Sequence, residues 1–127
     1  MEPLEAFRQA GRTLLSMGLV TGSEGNLSMF DGTVLLITRT GSALGRLGEA
    51  DVVAGGVDGP LREASGDVEV HRRMYVDAGP GAIAHAHPPG TIPDQGAGPG
   101  EHGVYSFAPT LEDAVAEIVR RSREGTS

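Results

Sequence analysis

A short apolar run that ends in two histidines and two prolines is the feature that most constrains how this chain can fold. The run Ala82-Ile83-Ala84 favours a strand, and strand side chains two residues apart point to the same face, so His85 and His87 lie side by side. Pro88 and Pro89 cannot continue a paired strand, which places the histidines near its end. Two adjacent imidazoles suit a divalent metal such as zinc. The alternative is a pair of surface histidines at a strand edge.

The bulk composition limits the possible partners. A length of 127 residues predicts one domain over 1–127, and the 20 glycines and 8 prolines leave a modest core that subunit contacts or a metal would support. The net charge of −7 argues against nucleic acid or an anionic membrane as a partner. No apolar stretch approaches the roughly 20 residues of a membrane span, and no signal pattern opens the chain, so we expect a cytoplasmic location.

Two residue types are missing altogether, and their absence restricts the chemistry. Without cysteine, the chain has no disulfide framework and no thiolate nucleophile. Without lysine, since all ten basic residues are arginine, it cannot form a lysine Schiff base with a carbonyl compound. Any carbonyl chemistry would therefore need a metal to polarise the substrate.

The pattern of apolar and turn-forming residues predicts an alternation of helices and strands. Asp31-Gly32 indicates a hairpin turn, Ser65 or Asp67 can cap the second helix, and Thr110 with Asp113 can cap the third. Residues 88–101 are rich in Gly and Pro and are expected to form a loop. Helices are expected over 2–18, 67–78 and 110–121, strands over 27–29, 33–38, 82–87 and 102–107, and a short strand or turn around Val52 and Val53.

Three loops combine a glycine with a hydroxyl or amide side chain, as phosphate-binding loops do. They are residues 23–26, residues 40–42 and the pair Ser65-Gly66. Glycine lets backbone N–H groups turn toward one point, and the side chain adds a further donor. Together the loops can hold a phosphate without lysine, although each one alone is as consistent with an ordinary turn.

The remaining histidines and carboxylates extend the predicted metal site. His102 opens the strand after the loop, and three histidines would leave a fourth metal position for substrate, as in catalytic zinc sites. Asp67 and Glu69, near a helix start, can supply a carboxylate base. His71, within that helix, is expected to be a hydrogen-bonded structural histidine.

Five motifs in order give the chain a resemblance to the class II aldolase and adducin family, covering most of residues 5–118. The motifs are G-S-E-G-N-L-S (22–28), L-I-T-R-T-G (36–41), A-S-G-D-V-E-V-H-R-R-M-Y (64–75), A-I-A-H-A-H-P (82–88) and H-G-V-Y-S-F-A-P-T-L-E-D-A (102–114). The resemblance implies an α/β fold. The expected architecture is a three-layer α/β/α sandwich with a largely antiparallel or mixed central sheet, shortened here and usually assembled as a tetramer.

The resemblance also implies a role for each matching residue. His85, His87 and His102 match the ligands of a catalytic divalent metal, normally zinc. Asp67 matches the acid/base carboxylate, with His71 at the matching position four residues later. The positions that match the phosphate-binding residues are Asn26, Thr40, Gly41, Ser65 and Gly66.

Three departures from the family pattern accompany these matches. Asp67 stands where Glu is usual, Ser65-Gly66 stands where Ser-Ser is usual, and only 14 residues separate His87 from His102. In an alternative alignment, residues 103–121 match the region between the second and third ligands, and His102 is then no ligand.

The function expected from the resemblance is that of a zinc-dependent, class II aldolase-type lyase that cleaves a small phosphorylated sugar such as a ketose 1-phosphate. Two alternatives stay open. One is a non-catalytic, adducin-like binding or assembly domain. The other is an epimerase or dehydratase that uses the same metal site on a sugar phosphate.

Overall fold

The computed structural model describes residues 2–20, 24–61, 64, 66–87 and 103–125. The predicted loop at 88–101, Ser65 and His102 lie outside these ranges. The elements are α1 (Pro3–Ser16), β1 (Asn26–Phe30), β2 (Leu35–Thr38), β3 (Val52–Gly55), α2 (Val68–Ala78), β4 (Gly81–Ala86), β5 (Val104–Ala108) and α3 (Leu111–Gly125), with 3₁₀ turns at Leu44–Arg46 and Glu49–Asp51.

The strands form one antiparallel sheet in the order β3-β2-β1-β4-β5. β1 and β2 form a hairpin, because the Asp31 carboxylate accepts hydrogen bonds from the backbone N–H groups of Thr33 and Val34 at 2.8 and 2.7 Å. β4 lies between β1 and β5, and its register places His85 opposite Asn26 on one side and Tyr105 on the other. The position of β4 brings side chains from three strands together at one end of the sheet.

Helices cover both faces of the sheet and divide the core in two. On one face, α1 and α3 pack against β1 and β4, with Phe7, Leu27 and Ile118 fully buried. On the other face, α2 places Tyr75 against Leu35 and Ile83. Because neighbouring residues of a strand face opposite sides, Ala82, Ala84 and Ala86 point toward α1 and α3, whereas Ile83 and His85 point toward α2. The predicted three-layer α/β/α sandwich is therefore confirmed, and its sheet is antiparallel.

Most predicted elements are confirmed, with shifted ends. The predicted cap of α3 is present, since Thr110 Oγ accepts a hydrogen bond from the Asp113 backbone N–H at 3.1 Å. The predicted capping by Asp67 is wrong: the residue occupies the position before α2, but its side chain makes no capping hydrogen bond. Among the described residues, no helix combines the length and apolar character needed to cross a membrane.

Candidate functional site

The two histidines of β4 lie together on the α2 face, as the alternation of strand side chains predicts. The ring centroids of His85 and His87 are 4.9 Å apart. His85 is fully buried and His87 is half-buried just beyond the strand, where its backbone N–H donates to the Leu19 carbonyl at 3.0 Å. The pair therefore extends from the buried interior toward the surface at the end of the sheet.

Asp67 reaches into this end of the sheet instead of capping α2. Its Oδ2 lies 3.0 Å from His85 Nδ1 and accepts a hydrogen bond from Asn26 Nδ2 at 2.6 Å. Burial by itself would raise the pKa of Asp67, but hydrogen bonds from His85 and Asn26 and the nearby imidazoles outweigh burial and hold this pKa below its ordinary value. Asp67 is therefore an ionised proton acceptor at neutral pH.

The second carboxylate considered from the sequence points away from the site. Glu69 is 72% exposed in its side chain and pairs with Arg72 at 2.9 Å, three residues along α2. Of the two candidate bases, the structure brings Asp67 into contact with His85 and turns Glu69 toward solvent.

The contact between Asp67 and His85 also decides which imidazole nitrogen can bind a metal. A carboxylate 3.0 Å from Nδ1 favours the proton on that nitrogen. In the neutral ring Nε2 then carries the lone pair, which is the arrangement of histidine ligands whose other nitrogen donates to a carboxylate. The residues present therefore suit a metal bound through Nε2 of His85.

Behind Asp67 lies a buried row of polar side chains. Ser28 Oγ is 2.6 Å from His71 Nδ1 and 2.8 Å from the Tyr75 hydroxyl, and His71 Nε2 forms a short hydrogen bond with Asn26 Oδ1. His71 is fully buried and hydrogen-bonded at both ring nitrogens, so the prediction of a structural histidine is confirmed. Burial lowers the pKa of His71 to about 3 and raises the pKa of Tyr75, and both groups are uncharged at neutral pH.

Tyr105 of β5 and Gly103, the residue before this strand, shape the site. The Tyr105 ring stacks on His85, with centroids 3.9 Å apart and planes 7° apart. A Cβ atom on Gly103 would lie 3.0 Å from His85 Nε2 and 2.5 Å from the Ala86 carbonyl oxygen. The backbone at Gly103 therefore runs against the Nε2 side of His85, and only glycine fits there.

The loops predicted to bind phosphate approach the same end of the sheet. Thr40 and Gly41 form an exposed turn separated from the end of β2 by one residue, and Gly41 has a φ of +77°. The neighbouring Arg39 forms a β-bridge with Ala64, which precedes Ser65 and Gly66. The bridge brings two of the three predicted loops together, and Asn26 of the third contacts Asp67, the residue after Gly66.

The metal site is incomplete within the part of the chain that the structure describes. In that part, no three His, Cys, Asp or Glu side chains form a group that could hold a metal ion. His85 and His87 supply a pair of imidazoles, whereas the third predicted ligand, His102, lies outside the described residues. The assignment of His102 stays a prediction.

Sequence reasoning missed Ser28, Tyr75 and Tyr105. A signal for the first two was present, because Ser28 lies two residues after Asn26 on β1 and Tyr75 lies four residues after His71 on α2. The spacing Asp67, His71, Tyr75 places all three side chains on one helix face.

A separate groove of about 1100 Å³ lies between α1 and α3, on the other face of the sheet. Its lining is mainly apolar, with Met17, Leu111 and Val115 among its residues, and it includes none of the predicted site residues. The candidate site is therefore assigned from the polar cluster around Asp67.

Comparison with known proteins agrees with this architecture. Residues 5–93 match the family model of the class II aldolase and adducin N-terminal domain. An L-fuculose-1-phosphate aldolase structure from Thermus thermophilus superposes with a TM-score of 0.85 at 23% identity, covering 97% of this chain and 90% of that one. At this identity, the superposition shows a shared fold.

Two curated relatives match at 30% identity. One is an L-fuculose phosphate aldolase from Methanococcus maripaludis, matched over 87 residues, which are 66% of this chain and 48% of the relative. The other, from Nocardia farcinica, is described as a probable bifunctional methylthioribose-1-phosphate isomerase/methylthioribulose-1-phosphate dehydratase. It matches over 94 residues, which are 69% of this chain and 17% of the relative. The chain thus spans about half of the first relative and less of the second.

Proposed function

Because the chain belongs to the class II aldolase and adducin family, we propose that it is a divalent-metal-dependent lyase that cleaves a phosphorylated sugar of the ketose 1-phosphate type. The observation that carries the proposal is the meeting of Asp67, Asn26 and His85 at the end of the sheet, beside His87. An ionised carboxylate and adjacent imidazoles are the groups that such a reaction needs.

In this proposal His85, His87 and His102 hold the metal, normally zinc. The metal would polarise the carbonyl group of the sugar as a Lewis acid. Asp67 would accept the proton of the hydroxyl group next to the C–C bond that breaks, and the electron pair of that bond would stay with the carbonyl-bearing fragment. A proton returned to that fragment completes the cleavage into an aldehyde and a phosphorylated ketone.

The phosphate group would lie at the neighbouring loops. Thr40, Gly41, Ser65 and Gly66 would surround it with hydroxyl and backbone N–H donors, which need no lysine. Asn26 stays in this set because it matches a phosphate-binding position of the family, and its Nδ2, besides donating to Asp67, lies 3.3 Å from His85 Nδ1. We extend the proposal to a homo-oligomer, which sedimentation of the purified protein would test.

Metal content and cleavage activity together test the proposal. The wild type, loaded with zinc and then freed of excess metal, should retain about one equivalent per chain and release an aldehyde from a ketose 1-phosphate. His85→Ala should lose both properties, since it removes a ligand. Full retention of metal by His85→Ala would contradict the assignment.

A matched pair of carboxylate variants tests the base. Asp67→Asn and Glu69→Gln each remove one negative charge at the start of α2, but Asp67 contacts His85 whereas Glu69 pairs with Arg72. Asp67→Asn should lower kcat by about 100-fold or more, in the range of general acid–base catalysis, and Glu69→Gln should stay close to the wild type. Equal effects in the two variants would exclude Asp67 as the base.

The Nocardia relative supports a second candidate, dehydratase chemistry on a sugar phosphate. The same donors could serve it, because a carboxylate that takes a proton and a metal that polarises a carbonyl are common to both reactions. Product analysis separates them, since a dehydratase releases water and keeps the carbon chain intact. A chain that binds no zinc and converts no sugar phosphate would instead be a non-catalytic, adducin-like domain.

A further inference from the structure

The buried row behind Asp67 is a continuous chain of hydrogen bonds across two elements. It runs from the Tyr75 hydroxyl through Ser28 and His71 to the Asn26 carboxamide, and from there to Asp67. Ser28 and His71 are fully buried, and Tyr75 and Asn26 are 1% and 3% exposed. Buried polar groups need a partner for each donor, so every bond in the row must have a defined direction.

The direction of each bond follows from the carboxylate at the end of the row. A carboxylate only accepts, so Asn26 must turn its nitrogen toward Asp67 and its oxygen toward His71. An amide oxygen only accepts as well, so His71 must carry its proton on Nε2. In the uncharged ring Nδ1 then accepts from the Ser28 hydroxyl, and Ser28 accepts from Tyr75.

We propose that His71, held by Ser28 and Tyr75, is a positioning residue that fixes the orientation of the Asn26 carboxamide beside Asp67 and His85. If His71 carried its proton on Nδ1, the lone pair of Nε2 would face the Asn26 oxygen. This repulsion would favour the flipped carboxamide, in which the Asn26 oxygen and nitrogen exchange places. A flipped carboxamide places its oxygen against the Asp67 carboxylate, two acceptors about 2.6 Å apart by the present spacing. Such a contact displaces the carboxylate from His85.

The expected consequence for activity rests on the proposed function, whereas the orientation of the carboxamide does not. If Asp67 is the base, releasing the carboxamide displaces the base from its working position. A displacement of about 1 Å at a reacting group can cost roughly 100-fold in rate. The effect should appear in kcat, because Asp67 is the proposed base, and an accompanying rise in KM is expected because Asn26 is one of the proposed phosphate-binding residues.

The test begins with NMR on the wild-type chain, which needs no substrate. Long-range ¹H–¹⁵N spectra show which ring nitrogen of His71 is protonated. The Nε2-protonated ring is expected at neutral pH, and Nδ1 protonation would overturn the proposal. In Ser28→Ala and Tyr75→Phe, which shorten the row from its far end, the Asn26 carboxamide signals should shift or broaden. Unchanged Asn26 signals in both variants would also overturn it.

Two substitutions at His71 separate positioning from a merely structural role. His71→Gln can keep an N–H donor at the position of Nε2, whereas His71→Leu cannot. Relative to the wild type, kcat should fall about tenfold or more in His71→Leu and by less in His71→Gln, on the scale of misplaced catalytic groups. Equal kcat in the two folded variants would contradict positioning. If His71→Leu does not fold, Ser28→Ala and Tyr75→Phe decide the same question by kcat.

Separate measurements test the positioning role of His71 and the lyase activity. A wild type that cleaves no sugar phosphate would refute the lyase, yet the His71 and Asn26 spectra would still decide the orientation of the carboxamide. An active wild type with a Nδ1-protonated His71 would leave the lyase in place and refute the positioning role.

Discussion

Removing the imidazole of His71 should make the stability of this protein less sensitive to mild acid. The ordinary pKa of 6.5 applies in the unfolded chain, whereas burial lowers the pKa in the folded protein to about 3. Between these values the unfolded chain binds more protons, so acidification favours unfolding. The stability that the uncharged ring contributes is complete above pH 6.5 and is lost as the pH falls toward 3.

The magnitude follows from the difference between the two pKa values. At about 1.4 kcal/mol per pH unit, the full difference corresponds to roughly 5 kcal/mol, of which about 2 kcal/mol is lost between pH 7 and pH 5. The ring is fully buried, so solvent does not screen it. Of the neighbouring charged groups, Asp67 has a pKa below its ordinary 3.8 and loses its stabilising effect only below this window.

Urea unfolding at pH 7 and pH 5, in the presence of a chelator, measures the effect. The free energy of unfolding of the wild type should fall by about 2 kcal/mol more than that of His71→Gln, as the two pKa values require. His87→Gln, the same change at a half-buried histidine, is the control and should remain more sensitive to acid than His71→Gln, because it keeps the buried His71. If the free energy of unfolding falls equally in the wild type and in His71→Gln between pH 7 and pH 5, burial does not lower the pKa of His71 as stated.

Three further substitutions test the packing that holds the site. Leu27→Ala, in the core beneath α1 and α3, should lower the free energy of unfolding by about 2–5 kcal/mol, and Leu15→Ala, 43% exposed, by clearly less. Gly103→Ala should lower the free energy of unfolding by more than the roughly 1–2 kcal/mol that a positive φ alone costs a side chain. It should also disturb the NMR signals of His85. Gly59→Ala, with a similar φ but open space around it, should show the backbone effect only. Thr110→Ala should cost about 1 kcal/mol by loss of a helix cap, whereas Thr110→Ser should not. Urea unfolding measures each of these free energies. If Gly103→Ala is as stable as Gly59→Ala, the close approach of Gly103 to His85 and Ala86 is contradicted.

Much of the local structure could be predicted, because it depends on spacing within short segments. The period of two places His85 and His87 on one face of β4, and the Asp31-Gly32 turn joins β1 to β2. The capping prediction for Asp67 was wrong for a reason that lies far away in the sequence. Its carboxylate bonds to Asn26, 41 residues earlier, and to His85, instead of the start of its own helix.

The sequence by itself determined the types of elements, the shared face of the two histidines and, through its ordered motifs, the family. Only the tertiary structure decided that Asp67 faces the site while Glu69 faces solvent, and that Ser28 and Tyr75 support His71. The physical reason is that spacing along a helix or strand fixes which residues share a face, but not which face of another element lies opposite. That choice depends on the register of β1 against β4 and on the packing of α2 over the sheet, which bring together residues more than 40 positions apart.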